Sequence, residues 1–358
     1  MYNWQRENWP QFKFTTTNME SKIGAIMLKA GELKGKLAAL PQDLSLAMVM
    51  ELLVLEAIKT SEIEGELFNK TEILSSIQQN LGLSVLKNPK DKNAIGLSKM
   101  LIQVRETFAQ ELSELHLQQW HKSLLGNKKN IHAGEYRKQI APMQIISGAA
   151  YKPKVHYEAP PSARVSSEME RFVTWFNEVA DLSPPVKAAV AHLYFESIHP
   201  FEDGNGRIGR AIAEKALSQG LNSPLSFSIS QAIEKNRKAY YAALQKAEKS
   251  LEISEWIDWF LTMLLEAQEM ADQMITLTIV KFHFFNEHDS LLNERQRKAI
   301  LRMFEAGPEG FLGGMNVQKY MGITGASKAT ATRDLQYLVE MNLFKSNLAG
   351  RSTHYKLN

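Results

Sequence analysis

The chain has 358 residues, 44% of them hydrophobic and 23% charged, with 12 prolines and no cysteine. Such a length and composition exclude a disordered or fibrous chain and predict two or three packed units. The lack of cysteine excludes disulfides, thiolate metal centres and cysteine nucleophiles and fits a reducing, cytoplasmic setting, while a net charge of +3 is too small for a general polyanion binder.

The N-terminus, MYNWQRENWPQF, lacks the basic flank and apolar run of a signal peptide, and no membrane association is expected. Its Trp4, Trp9, Phe12 and Phe14 around Pro10 predict an extended arm pinned by aromatics. Apolar residues then recur at three- and four-residue steps from Met19 to Leu40 and from Leu44 to Lys59, predicting two helices split by Pro41, and a third helix at Lys70–Leu81 ends at Gly82. Lys87–Asn93 reads as a loop, and helical patterns resume at Gly96–Gln110 and Leu115–Leu125. Between Tyr136 and Tyr157, β-favouring residues around Ser147-Gly148 predict a hairpin.

Further helices are expected at Ser166–Val179, Pro185–Ser197, Gly206–Ser218, Ser230–Ser250 and Ser254–Leu277. The end of the chain differs. From Leu291 to Asn358 there are ten Lys/Arg against five Asp/Glu, so a basic module follows a near-neutral body. Its helical patterns at Glu294–Ala306, Val317–Gly322 and Ser327–Asn342, then short strands around Phe344 and Tyr355, predict a winged helix-turn-helix. Its recognition helix holds Lys328, Thr330, Thr332 and Arg333, Arg351 at the wing tip is placed for a phosphate contact, and DNA binding and protein docking or dimerisation both stay open for it. The fold is therefore expected to be mainly α, in three regions: 1–95, a core at 96–280, and 290–358.

The chemistry concentrates in His199-Pro200-Phe201-Glu202-Asp203-Gly204-Asn205-Gly206-Arg207-Ile208-Gly209-Arg210, between two predicted helices. Gly204 and Gly206 around Asn205 make a turn whose backbone amides can face an anion, and the helix that follows adds its positive end. Arg207 and Arg210, three apart on that helix, lean toward the same polyphosphate. Asp203 is a hard oxygen ligand suited to Mg2+, and His199 is a titratable base beside the anion site. Together they point to phosphoryl or nucleotidyl transfer.

This stretch resembles the motif of the Fic family, HPFx[D/E]GNGRxxR, at every specified position. The resemblance extends to His192, Phe195 and Ile198, to Gly134-Glu135-Tyr136-Arg137, to Pro160-Pro161, and to Asn236-Arg237 with Tyr240-Tyr241, covering about residues 100 to 275. It implies a helical core with a β-hairpin flap and an activity that moves AMP from ATP to a Tyr, Thr or Ser hydroxyl of a target protein, releasing pyrophosphate. His199 would be the general base, Asp203 the Mg2+ ligand, Gly204, Asn205 and Gly206 the α-phosphate cradle, and Arg207 and Arg210 the β- and γ-phosphate contacts. Asn236, Tyr240 and Tyr241 would border the adenine, and the hairpin 140–155 would dock the target by strand addition. Phe201 and His192 are expected to be structural.

Thr60-Ser61-Glu62-Ile63-Glu64-Gly65 resembles the family's inhibitory pattern [S/T]xxxE[G/N]. By that resemblance Glu64 pairs with Arg210 and blocks productive ATP binding, or alternatively positions a water for removing AMP. Transfer of another phosphate-containing group, and a nucleotide-sensing DNA-binding regulator, are the competing readings. A homodimer through exposed helix faces is a further expectation.

Overall fold

The computed structural model describes residues 1–85, 87–147, 154–347 and 353–358, and among them are fourteen α-helices and two small antiparallel sheets. The N-terminal arm, with 3-10 turns at Asn3–Gln5 and Thr17–Met19, is tied down by polar as well as aromatic contacts. Asn3 donates its side-chain amide to Ser197 Oγ (2.7 Å), and Trp9 Nε1 donates to Glu168 (2.9 Å). Trp9 and Phe12 meet Tyr194 edge-on.

Helices α1 (Glu20–Ala38) and α2 (Gln42–Ile63) are separated by Pro41 as the periodicity predicts, but α2 runs through the Thr60 motif and ends with Glu64 as its cap. Then come α3 (Lys70–Asn80), α4 (Lys92–Glu106) and α5 (Glu114–Leu125). Helix α4 starts within the expected loop because the Asp91 carboxylate caps the Asn93 and Ala94 amides.

The expected hairpin at 140–155 is shifted. Its strands are β1 (Gln144–Ser147) and β2 (Lys154–Glu158), paired antiparallel with a bulge between Ile145 and Ile146. Ile140 lies before the pairing begins and is fully exposed; the turn at 148–153 lies outside the described residues.

Helices α6 (Ser162–Glu178), α7 (Pro184–Ile198) and α8 (Asn205–Gly220) follow. From Pro185 to Ile198 only Lys187 on α7 is not buried, and a helix apolar or covered all round belongs at the centre of a core. Helix α8 packs closely along it: a Cβ on Gly209 would come within 2.5 Å of Glu196 Oε1, and one on Gly220 within 2.1 Å of Pro184.

The single helix expected over Ser230–Ser250 is two, α9 (Ile229–Lys235) and α10 (Arg237–Ala247). The break falls at Asn236, whose side-chain amide donates to Ala232 O and Glu266, so a local side-chain bond interrupts the helix. Helix α11 (Ser254–His288) is longer than its apolar pattern suggested. No helix among the described residues is long and apolar enough to cross a membrane.

The chain divides into two compact units, Met1–Ala271 and Asp272–Asn358, so the expected N-terminal region packs in the same unit as most of the expected core. The second unit holds α12 (Glu294–Phe304), α13 (Val317–Thr324), α14 (Lys328–Glu340) and the antiparallel pair β3 (Phe344–Asn347) and β4 (His354–Leu357). Asn293, Asn316 and Ser327 cap the three helices, and Ile300, Tyr320, Leu335 and Phe344 lie in its own core. The expected tip residue Arg351 lies outside the described residues.

Candidate active site

Helix α7 ends on His199, whose φ of 50° is left-handed and unfavourable for a residue with a side chain. Arg137 holds that turn. Its Nε donates to the His199 carbonyl (2.8 Å), a terminal nitrogen donates to Pro160 O (2.6 Å) and Ile198 O (3.3 Å), and its amide donates to Pro200 O (2.9 Å). The Gly-Glu-Tyr-Arg segment thus acts as a staple under the motif. Beyond it, the Asn205 side chain closes the loop, donating to Phe201 O and accepting from the Phe201 amide.

His121, which the sequence reading passed over, completes the support. Its Nδ1 accepts from the Gly134 amide (2.8 Å), leaving Nε2–H to donate to Asp203 O (3.1 Å), and its ring stacks on Phe201 at 4.0 Å. Gly204 then starts α8 at φ 79°, a left-handed turn that favours glycine, where a Cβ would also press on Leu125 (3.0 Å) and Leu124 (3.2 Å).

A cavity of about 830 Å³ opens in front of this loop, lined by His199, Asp203, Gly204, Asn205 and Gly206, by Met143 to Ile146 of the hairpin, and by Tyr240, Tyr241 and Glu248. His199 is 9% exposed, and burial followed by the nearby Arg137 lowers its pKa to about 4, so the imidazole is neutral at ordinary pH. Burial alone would raise the Asp203 carboxyl; Lys128 and Arg207 outweigh it and hold the group ionised.

The two motif arginines do not line the cavity, because glutamates cover them. Arg210 donates through Nε to Thr60 Oγ1 (2.8 Å) and through a terminal nitrogen to Thr60 O (2.8 Å) and Glu64 Oε1 (2.8 Å). Although burial works against its charge, Glu64 keeps the Arg210 pKa above its ordinary value. The Glu64 carboxylate lies over the first turn of α8, where Gly206 admits it: a Cβ there would fall 2.2 Å from Glu64 Oε1. An anionic group therefore already sits at the helix N-terminus.

A second glutamate joins it. After Glu64 the chain turns through Gly65 (φ 81°), with the Gly65 amide bonded to Glu62 O and the Glu66 amide to Ser61 O, the paired bonds of a Schellman cap. This reversal brings Glu66 to Arg207 (2.5 Å) and Lys128 (2.7 Å), and Lys128 also meets Asp203 (3.1 Å). Glu66 and Lys128 carry no local signal of their own; only the cap's reversal makes them neighbours of the motif.

Of the residues expected at the adenine, Tyr240 and Tyr241 reach the cavity. Tyr240 is buried with its hydroxyl 2.9 Å from His192 Nε2, and Tyr241 donates to Ile63 O (3.0 Å). Asn236 is not brought there, its amide being engaged by Glu266.

Helical packing around a histidine loop that opens a glycine-started helix is the architecture of the Fic fold, and the comparisons agree. Residues 111–217 match the model of the Fic/DOC family, and residues 2–83 match a domain of unknown function (DUF4172). Residues 111–217 therefore form a Fic/DOC family domain.

A probable protein adenylyltransferase of Aquifex aeolicus is 25% identical over 65% of this chain and 64% of its own length. The protein adenylyltransferase Fic of Drosophila erecta is 23% identical over 68% of this chain. The chain thus spans about two thirds of the first relative and about half (49%) of the second. Among solved structures, a Fic family protein from Desulfovibrio desulfuricans G20 superposes with a TM-score of 0.55 at 20% identity, covering 98% of both chains, and Fic-1 (aa134–508) from C. elegans with 0.51 at 19% over 75% of each. These likenesses establish the fold.

Proposed function

We propose that this chain is a protein adenylyltransferase whose own α2 holds it inactive. A target hydroxyl oxygen attacks the α-phosphorus of ATP, His199 Nε2 takes the hydroxyl proton, and the bond from the α-phosphorus to its bridging oxygen breaks, releasing pyrophosphate. A neutral, buried His199 beside the glycine turn is the observation that carries this reading.

The α-phosphate fits the amides of Gly204, Asn205 and Gly206, a cradle that a Cβ at position 206 would fill. The β- and γ-phosphates fit Arg207 and Arg210, which now hold carboxylates in their place. Among the described residues no cluster of three or more His, Cys, Asp or Glu could hold a metal ion. A lone, partly exposed Asp203 suits Mg2+ that arrives with the phosphates and keeps most of its ligands from them and from water. Bound there, Mg2+ would neutralise charge on the phosphates, and Lys128 would have to leave Asp203.

Glu64 and Glu66 together are the brake in this reading, since ATP needs both arginines. The target would pair along the hairpin, whose two strands, among the described residues, pair only with each other. The test is incubation of wild type, Glu64→Gly and Glu64→Gly/His199→Ala with Mg2+ and ATP labelled at the α- or γ-phosphate. Label from α only, appearing with Glu64→Gly and vanishing with His199→Ala, is expected. Label from γ would assign phosphoryl transfer instead. No label from either, with ATP bound, would favour the nucleotide-sensing regulator.

A further inference from the structure

Glu196 lies one turn before His199 on α7, is 3% exposed, lines the cavity, and takes no part in the chemistry above. Its Oε2 stands 3.8 Å from His199 Nδ1. His199 Nδ1 and Glu196 Oε1 are both buried without a hydrogen-bond partner among the described residues. An unsatisfied buried donor is costly, and a shift of less than about 1 Å would bring Glu196 Oε2 to hydrogen-bond distance of His199 Nδ1.

We propose that Glu196 is the positioning residue of the general base: its carboxylate accepts the His199 Nδ1–H and so fixes the tautomer that leaves the Nε2 lone pair free for the target's proton. When Nε2 takes that proton, the same carboxylate faces the imidazolium and stabilises its charge. This assignment rests on the adenylyltransferase reading for its chemistry, but the hydrogen bond itself does not depend on it.

The surroundings connect this pair to the brake. Glu196 is faced by Glu64, Arg210, Glu248 and Tyr240, and its Oε1 lies with His192 Nδ1 against the α8 backbone at Gly209; His199 is faced by Arg137, Asp203 and the Glu196 backbone carbonyl. Burial, then the Glu64 charge, push the Glu196 pKa up to about 8 against the pull of Arg210. Withdrawing Glu64 removes the second of these causes and frees Arg210 from its carboxylate. The ionised Glu196 that His199 needs is therefore favoured in Glu64→Gly protein, the background in which the pair is best examined.

The deciding experiment is nitrogen NMR on full-length Glu64→Gly protein labelled with 15N-histidine, the His199 ring being assigned by its loss in His199→Ala. His199 is expected as the Nδ1–H tautomer, and Glu196→Leu, which keeps the volume without the acceptor, should convert it to Nε2–H or a mixture. An unchanged His199 ring in Glu196→Leu overturns the proposal whether or not the protein transfers AMP. Should that variant not fold, Glu196→Gln decides: its amide can accept the Nδ1–H but carries no charge, so the tautomer should persist while the His199 titration moves to lower pH, and an unmoved titration overturns the proposal. Where transfer is measurable, Glu196→Leu should lower kcat roughly 10- to 100-fold with the KM for ATP within about twofold, and Glu196→Gln should fall between. A loss confined to ATP affinity would assign Glu196 to Arg210 and the phosphates instead.

Discussion

Arg207 and Glu66 form a contact of 2.5 Å in which the arginine side chain is 3% exposed and the glutamate side chain 30%. Partial exposure of Glu66 weakens such a pair through solvent screening, yet it occupies the guanidinium that we propose for the β-phosphate. Glu64→Gly should therefore release only half of the site. Adding Glu66→Ala is expected to tighten binding of a non-hydrolysable ATP analogue by a further roughly 3- to 10-fold, corresponding to ~1 kcal/mol, as measured by calorimetry. Equal affinities in Glu64→Gly and the double variant would show that Arg207 gives up Glu66 at no cost. The twelve-residue motif and Glu64 could be found in the sequence because each is a local pattern. Glu66, Lys128, His121 and Glu196 could not, because their roles come from neighbours that are distant in the chain or from the end of a helix that turns their side chains toward the loop.

Helices α7 and α8 pack together and bury ionisable side chains, which favours their neutral forms and gives the pair a pH signature. His192 sits with its Nε2 on Tyr240 and its ring stacked on Trp256, and burial lowers its pKa to about 3. Below about pH 6.5 the unfolded chain takes up a proton at this histidine that the folded chain refuses, so stability is lost as pH falls, by ~1.4 kcal/mol per pH unit for this residue. Glu196 and Glu214 act in the opposite sense. Burial raises them to about 8 and about 7, so the fold keeps protons that the unfolded chain releases above about pH 4.5, and stability is lost as pH rises. A difference experiment separates the two. His192→Gln should be less stable than wild type near pH 7, and by urea unfolding the gap should narrow by roughly 2 kcal/mol between about pH 6.5 and 5. A gap that stays constant over this window would mean that His192 is not held neutral. The periodicity also located nearly all the helices, since a covered face repeats every three or four residues. It missed the break at Asn236, where the side-chain amide bonds back to Ala232 O, a competition that the apolar period does not register.

On the scale of the whole chain, the second unit has its own core, on which α14 packs through Ala331, Leu335 and Leu338. Lys328 and Arg333 are exposed on α14, which Ser327 caps, as a groove-reading helix would require. If this unit reads DNA, the full chain should bind a fluorescent duplex at low ionic strength, with affinity falling steeply as salt rises, and Lys328→Ala/Arg333→Ala should abolish the change in anisotropy. Absence of binding would assign the unit to protein docking. The sequence by itself determined the helical class, the histidine-to-arginine loop and the TxxxEG segment, because each is written in consecutive residues or in one helical period. Only the tertiary structure decided that this segment lies on the motif, that two glutamates rather than one cover its arginines, and that Glu196 stands beside His199. Those facts depend on how the end of α2 and the end of α7 meet the start of α8, a meeting set by core packing and by the left-handed turns at Gly65 and His199.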